Sequence, residues 1–199
     1  RAFHVVSANG KVCFGSSSED KVVCLDLKTG RTIWKYFTEG PVRLAPTLHG
    51  DKVLFGSDDG YLYCINADDG KLTWKTLIGP KDKRLPGNER MISLWPVRTG
   101  VVVIDGSVHC CAGLFPTQGV FSATVNLSDG KIVSKSDMNF SPQGYIRRVG
   151  EKLHVDGGRD KEQAFAKVQP ISGATDRLKP LRNIPEFPHA VIAAAHIRV

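Results

Sequence analysis

Apolar and polar residues alternate along this chain in short runs broken by tight-turn signals. Val12-Cys13-Phe14-Gly15-Ser16 leads to Val22-Val23-Cys24-Leu25-Asp26, then Lys28-Thr29-Gly30, then Thr32-Ile33-Trp34. Alternation with period two is the mark of half-buried strands, and the intervening Asn-Gly and Asp-Gly pairs at 9–10, 59–60, 69–70, 105–106 and 129–130 favour hairpin turns. The pattern predicts many short antiparallel strands.

The same unit then returns. Val53-Leu54-Phe55-Gly56-Ser57, Tyr61 to Asn66, Asp69-Gly70 and Leu72-Thr73-Trp74 form a second copy. Val101 to Val103, Val108 to Ala112, Val120 to Asn126, Asp129-Gly130 and Ile132-Val133 form a third, and Leu153 to Val155, Ala164 to Ala166 and Ser172-Gly173 a fourth. The turn glycines 30, 70, 130 and 173 lie 40, 60 and 43 residues apart. A period near forty with several short strands predicts an all-β propeller of four-stranded antiparallel blades, each needing a neighbour to bury its faces. The blades are expected near 3–36, 43–77, 97–136 and 145–179, with 182–199 opening a further blade. Two polar, Gly/Pro-containing stretches, IGPKDKRLPGNERMI at 78–92 and GLFPTQG at 113–119, read as insertions on one face of the array.

Composition adds charge to this picture. Of 199 residues 41% are hydrophobic and 24% charged, an ordinary globular balance, and the net charge of +7 is concentrated after residue 80, where seventeen Lys/Arg face eleven Asp/Glu. Only KDKR at 81–84 is a dense basic run, and no aromatic-rich nucleic-acid motif accompanies it, so no nucleic-acid partner is expected. No apolar run reaches the length of a transmembrane helix. The chain opens at Arg1 within strand-like sequence and stops in HAVIAAAHIRV, which reads as a fragment whose remaining blades lie elsewhere.

Cys24-x-Asp26-x-x-Thr29-Gly30-x-x-x-Trp34 resembles the Ala-x-Asp-x-x-Thr-Gly-x-x-x-Trp repeat of the quinoprotein, or PQQ-like, β-propellers, with Cys24 in the small-residue position. The second copy substitutes Cys64, Asn66 and Asp69 but keeps Gly70 and Trp74; the third keeps Gly130 and has Ser134 in place of tryptophan. The resemblance implies a ring of seven or eight blades, of which about four are present. It makes Asp26, Gly30, Trp34, Asn66, Gly70, Trp74, Gly130 and Gly173 structural repeat positions, with the tryptophans packed against the next blade. It also implies a periplasmic or otherwise extracytoplasmic setting. For function it implies a non-catalytic ligand-binding or protein-scaffolding module, or alternatively part of a PQQ-dependent alcohol or sugar dehydrogenase, which would bring PQQ with calcium.

Arg43, Arg98, Thr99, Gln143 and Arg159, with His49 and Tyr145, fall near the ends of the innermost strands, where propeller ligands sit. Arginine suits a carboxylate-bearing anion such as PQQ, and equally suits a salt bridge lining the channel. Asp58-Asp59-Gly60 reads as a turn rather than a calcium loop, and no acid cluster or catalytic base can be assigned. Cys110-Cys111 matches the adjacent cysteines that form a vicinal disulfide in some quinoprotein dehydrogenases, but successive strand residues point to opposite faces, which favours two separate core thiols. Cys13, Cys24 and Cys64 read as core residues, and no metal-ligand spacing occurs.

Overall fold

The structure, a computed structural model, describes residues 4–87, 90–157 and 160–167, the last stretch by its backbone alone. Gly173, Arg159 and the expected blade start at 182–199 lie outside the described residues. Three four-stranded antiparallel sheets follow one another: β1 (Val5–Ala8), β2 (Lys11–Ser16), β3 (Lys21–Asp26) and β4 (Thr32–Phe37); β5 (Thr47–His49), β6 (Lys52–Gly56), β7 (Tyr61–Asn66) and β8 (Leu72–Leu77); and β11 (Val102–Ile104), β12 (Ser107–Ala112), β13 (Phe121–Asn126) and β14 (Ile132–Asp137). Between the second and third lies a separate hairpin, β9 (Arg84–Gly87) with β10 (Arg90–Ser93). Of a fourth blade, β15 (Gln143–Val149), β16 (Lys152–Gly157) and β17 (Asp160–Lys167) are described. Each sheet pairs strictly in chain order, so this is an all-β propeller built blade by blade.

The blades bury opposite faces against their neighbours. Cys13, Val22 and Cys24 of blade one meet Val53, Phe55, Tyr63 and Ile65 of blade two in a first core. Leu54, Leu62 and Cys64 of blade two meet Val108, Cys110 and Val125 of blade three in a second. Cys111 of blade three meets Ile146, Leu153 and Val155 of blade four in a third. Period-two alternation thus sends Cys110 and Cys111 into different cores, as free buried thiols.

Chain-order pairing gives each blade two distinct ends. One, the turn end, carries the hairpins between first and second strands and between third and fourth. At the first of these hairpins Asn9 and Gly10 both have positive φ, as does the Asp105-Gly106 pair, the conformation a two-residue type I′ turn requires. The other, the connection end, carries the turns between second and third strands and the links from blade to blade.

At the turn end the blades are clasped. A bulge recurs at the same place in each third-to-fourth strand pair, at Cys24/Leu25, Cys64/Ile65 and Thr124/Val125. Beyond the bulge Trp34 and Trp74 lie buried, and their indole N–H groups donate to the Ala67 and Leu127 carbonyls of the following blade at 2.9 and 3.0 Å. The indoles rest on the turn glycines of that blade: a Cβ added to Gly70 would lie 2.7 Å from the Trp34 ring, and one on Gly130 2.7 Å from the Trp74 ring. These glycines therefore answer two demands at once, positive φ and contact with an aromatic face.

Candidate functional site

At the connection end the turn between β6 and β7 is enclosed by the links on either side of blade two. The Asp58 amide donates to Pro41 O at 2.9 Å, Ser93 N donates to Asp58 O at 2.7 Å, and Val97 N donates to Ser57 O at 3.0 Å. Space there is closed: a Cβ on Gly40 would meet the Asp59 amide at 2.7 Å, and one on Gly56 would meet Val97 at 2.4 Å. Tight backbone packing excludes water from the turn and sets the side chains of Asp58 and Asp59 in a low-dielectric pocket.

Asp58, only 1% exposed, is held by two arginines. Arg98 grips it with Nε on Oδ1 at 2.8 Å and Nη2 on Oδ2 at 2.7 Å, while Arg43 reaches Oδ2 through Nε at 2.7 Å. The two-pronged geometry is the strong form of the arginine–carboxylate bond. Two guanidinium groups share this carboxylate, and the side chain of Arg43 is 33% exposed, so its guanidinium faces solvent. Among the described residues Asp58 is the hydrogen-bond partner of Arg43, through Nε alone.

Asp59 is buried, and among the described residues no cation bonds it. It accepts from the Tyr63 hydroxyl at 2.6 Å and from the amides of Glu39 and Tyr61 at 3.1 and 3.0 Å. Burial raises its pKa above the usual carboxylate value, although these donors oppose the rise. The Tyr63 phenol is pushed up in turn, first by burial and then by the adjacent carboxylate. Phe55 stacks on Tyr63 with ring centres 5.2 Å apart, which fixes the phenol in place.

The insertion at 78–92 contains a strand pair of its own. Arg84 to Gly87 and Arg90 to Ser93 pair as the β9–β10 hairpin, which returns to blade one. Arg84 bonds Glu39 and Asp82, and Arg90 bonds Asp20 and the Ser18 carbonyl. At its base Trp95 is buried over Gly79 and donates from Nε1 to Gln118 O at 2.7 Å, joining this insertion to the 113–119 segment, where Pro116–Gln118 forms a single 3-10 turn.

The other sequence candidates are dispersed. Thr99 is buried and bonded to the Cys111 backbone, its hydroxyl accepting from the amide at 2.9 Å. Gln143 is exposed at the start of β15, beside the bridge between Thr99 and Gly144. Tyr145 crosses towards blade one, accepting from the Ala45 amide at 3.1 Å and standing edge-on to His4 with centroids 5.4 Å apart. His49 belongs to the turn end, next to Gly50, and does not join Arg43. Arg159 lies outside the described residues.

Asp58 was not among the residues expected to matter, yet the sequence held a pointer to it. Pro-Val-Arg occurs twice, at 41–43 and 96–98, each time just before the innermost strand of a blade, and it is these two arginines that share one carboxylate. For PQQ with calcium the fit is divided. The outward nitrogens of Arg43 suit a carboxylate of the quinone, whereas Asp58 and Asp59 are already engaged and no group of three acidic, His or Cys side chains able to hold a metal occurs among the described residues.

The family model described as outer membrane protein assembly factor BamB (PQQ_2) matches residues 2–142. Quinoprotein alcohol dehydrogenase PedH of Pseudomonas putida is 31% identical over 158 residues, 74% of this chain and 25% of that protein. A quinoprotein ethanol dehydrogenase of Pseudomonas putida is 32% identical over 80 residues, 36% of this chain and 13% of that protein. Among solved structures, BamB from Moraxella catarrhalis superposes with a TM-score of 0.63 at 20% identity, covering 81% of this chain and 47% of that one. Quinohemoprotein alcohol dehydrogenase ADHIIG from Pseudomonas putida HK5 does so with a TM-score of 0.61 at 16% identity, covering 76% and 27%. At those identities the structural likeness shows the propeller fold, and the chain spans a quarter or less of the length of these curated relatives.

Proposed function

This chain belongs to the PQQ-like propeller family whose model is described as outer membrane protein assembly factor BamB, and from that premise we propose that it serves as a non-catalytic, extracytoplasmic scaffolding propeller whose connection end receives a protein partner. The observation that carries the reading is the use made of the charged side chains at that end. Arg43 and Arg98 fasten the links flanking blade two onto Asp58, and Arg84 and Arg90 fasten the β9–β10 hairpin onto blade one. The groups that could have gripped a ligand instead make a stiff platform. Phe37, Met91 and Phe115 stand exposed at this same end, an arrangement that suits association with another protein surface. The solvent-facing guanidinium of Arg43 favours a partner that presents a carboxylate there.

The relatives favour a second reading, part of a PQQ-dependent alcohol or sugar dehydrogenase, because PedH is 31% identical over most of this chain. Under it Arg43 would hold a carboxylate of the quinone. One experiment separates the two. The complete protein is titrated with PQQ, with and without calcium, while its absorption spectrum and dye-linked alcohol oxidation are followed. The scaffold reading expects no stoichiometric uptake, and expects crosslinks to an endogenous partner to map to peptides carrying Phe37, Met91 or Phe115. Stoichiometric uptake with dye-linked activity would overturn it.

A further inference from the structure

Cys13 on β2 and Cys24 on β3 stand directly opposite one another in blade one. One step beyond the Lys11–Asp26 pair, the Leu27 amide donates to the Gly10 carbonyl at 2.8 Å, which makes Gly10 and Leu27 a hydrogen-bonded pair. Because bonded and non-bonded pairs alternate along an antiparallel ladder, Val12/Leu25 and Phe14/Val23 are bonded and Cys13/Cys24 is not. In a non-bonded pair the Cα atoms stand about 4.5 Å apart with the side chains drawn together, inside the ~4.4–6.8 Å that a disulfide spans. Both side chains enter the core between blades one and two, and both are fully buried. The same position holds Leu54 and Cys64 in blade two, and in blade three His109 and Thr124, whose ring nitrogen and hydroxyl share a 3.1 Å hydrogen bond. Among these three blades, blade one alone places two thiols there.

We propose that Cys13 and Cys24 are a redox-modification site, closing to a cross-strand disulfide that staples β2 to β3 by exchange with a low-molecular-weight disulfide. One thiolate attacks a sulfur of the oxidant and expels one thiol. The other cysteine then attacks the resulting mixed disulfide and expels the second, so two protein thiols become one S–S bond and the oxidant leaves as two thiols carrying their protons. Burial pushes both protein thiols up, which keeps the thiolate scarce in the folded blade. Closure therefore belongs to moments when the β2–β3 hairpin is opening or assembling.

The site is tested on the full chain, produced reduced and held in a reduced/oxidised glutathione buffer just below its unfolding transition, then acid-quenched, alkylated and digested with trypsin. The expected product is peptide 12–21 joined to peptide 22–28, two hydrogens lighter than the separate peptides, with Cys64, Cys110 and Cys111 alkylated. The linked form should melt about 5–10 °C above the reduced form, the scale expected for a short loop closed in a domain of this size. Alkylation of all five cysteines, glutathione adducts without the internal link, or a linked form that melts no higher than the reduced one would overturn the proposal.

Discussion

At the turn end of blades one to three, the same parts recur with the same partners. Asp26, Asn66 and Asn126 each accept from the amide two residues on, Gly30, Gly70 and Gly130 each donate to the carbonyl of that residue, and an indole from the preceding blade lies on Gly70 and Gly130. At the connection end no two blades are alike. Blade two has a buried carboxylate clamped by two arginines, blade three has a 3-10 turn tied to Trp95, and the link between them has grown a hairpin that reaches blade one. The turn end answers one packing problem, how a sheet docks on the next, and one solution serves both the docking of blade one on blade two and that of blade two on blade three. The connection end has no common packing problem to solve, so its side chains are free to differ from blade to blade.

The sharpest test of this contrast lies in the clasp. Trp74→Ala removes a buried indole and its bond to Leu127 O and should cost about 3–5 kcal/mol in chemical denaturation. The glycines then separate conformation from contact. Gly30 and Gly130 have nearly equal φ, 68° and 73°, but an added Cβ meets nothing within 4 Å at Gly30 and the Trp74 ring at Gly130. Gly30→Ala should cost about 1 kcal/mol for the left-handed backbone, and Gly130→Ala roughly 2 kcal/mol more for the displaced ring. Equal losses at the two sites would mean that the turn glycines serve φ alone.

A second test belongs to the connection end. Arg98 makes two bonds to Asp58 and its side chain is 20% exposed, whereas Arg43 makes one and is 33% exposed. Removing Arg98 leaves a buried carboxylate under-compensated, so Arg98→Ala should cost about 3 kcal/mol, and Arg43→Ala about 1 kcal/mol. If Arg43→Ala proves the costlier, the positive charge facing solvent is structural, and the proposed docking face loses its electrostatic basis.

How much of this could be read beforehand follows the same division. Alternation and turn chemistry repeat, so the strands, the blades and the place of Trp34 and Trp74 were legible from residues near each other in the chain. The bulge that aims the indoles was not, because Ile33, Thr73 and Val133 are β-branched residues of the kind any regular strand position takes; what marks them is a position in the register. Asp58 was read as one acid of a turn, since its partners lie 15 and 40 residues away on opposite sides, and only the repeated Pro-Val-Arg links them. The β9–β10 pairing was hidden for a related reason: Pro86 and Gly87 weaken any strand signal, while the arginines that hold the hairpin down reach Asp20 of blade one and Glu39 in the link that follows it.

The smallest effect concerns Asp59, where the connection end departs most from the turn end in its electrostatics. The turn-end acids Asp26, Asp69 and Asp129 have pKa values lowered by hydrogen bonds, chiefly from Thr29, Lys71 and Lys131, whereas burial raises that of Asp59. The signs are therefore opposite. A carboxyl raised in the folded state holds its proton more tightly there than in the unfolded chain, so its contribution to stability is complete below the ordinary value of 3.8 and is lost as pH rises through the folded pKa. Asparagine does not titrate, and its carbonyl still accepts from a turn amide. The stability of wild type minus that of Asp59→Asn should fall as pH rises above 3.8 and then level off, a change of slope measurable by urea denaturation at a series of pH values. A difference that instead rises with pH would show that the Tyr63, Glu39 and Tyr61 donors outweigh burial, and Asp59 would then belong with the turn-end acids.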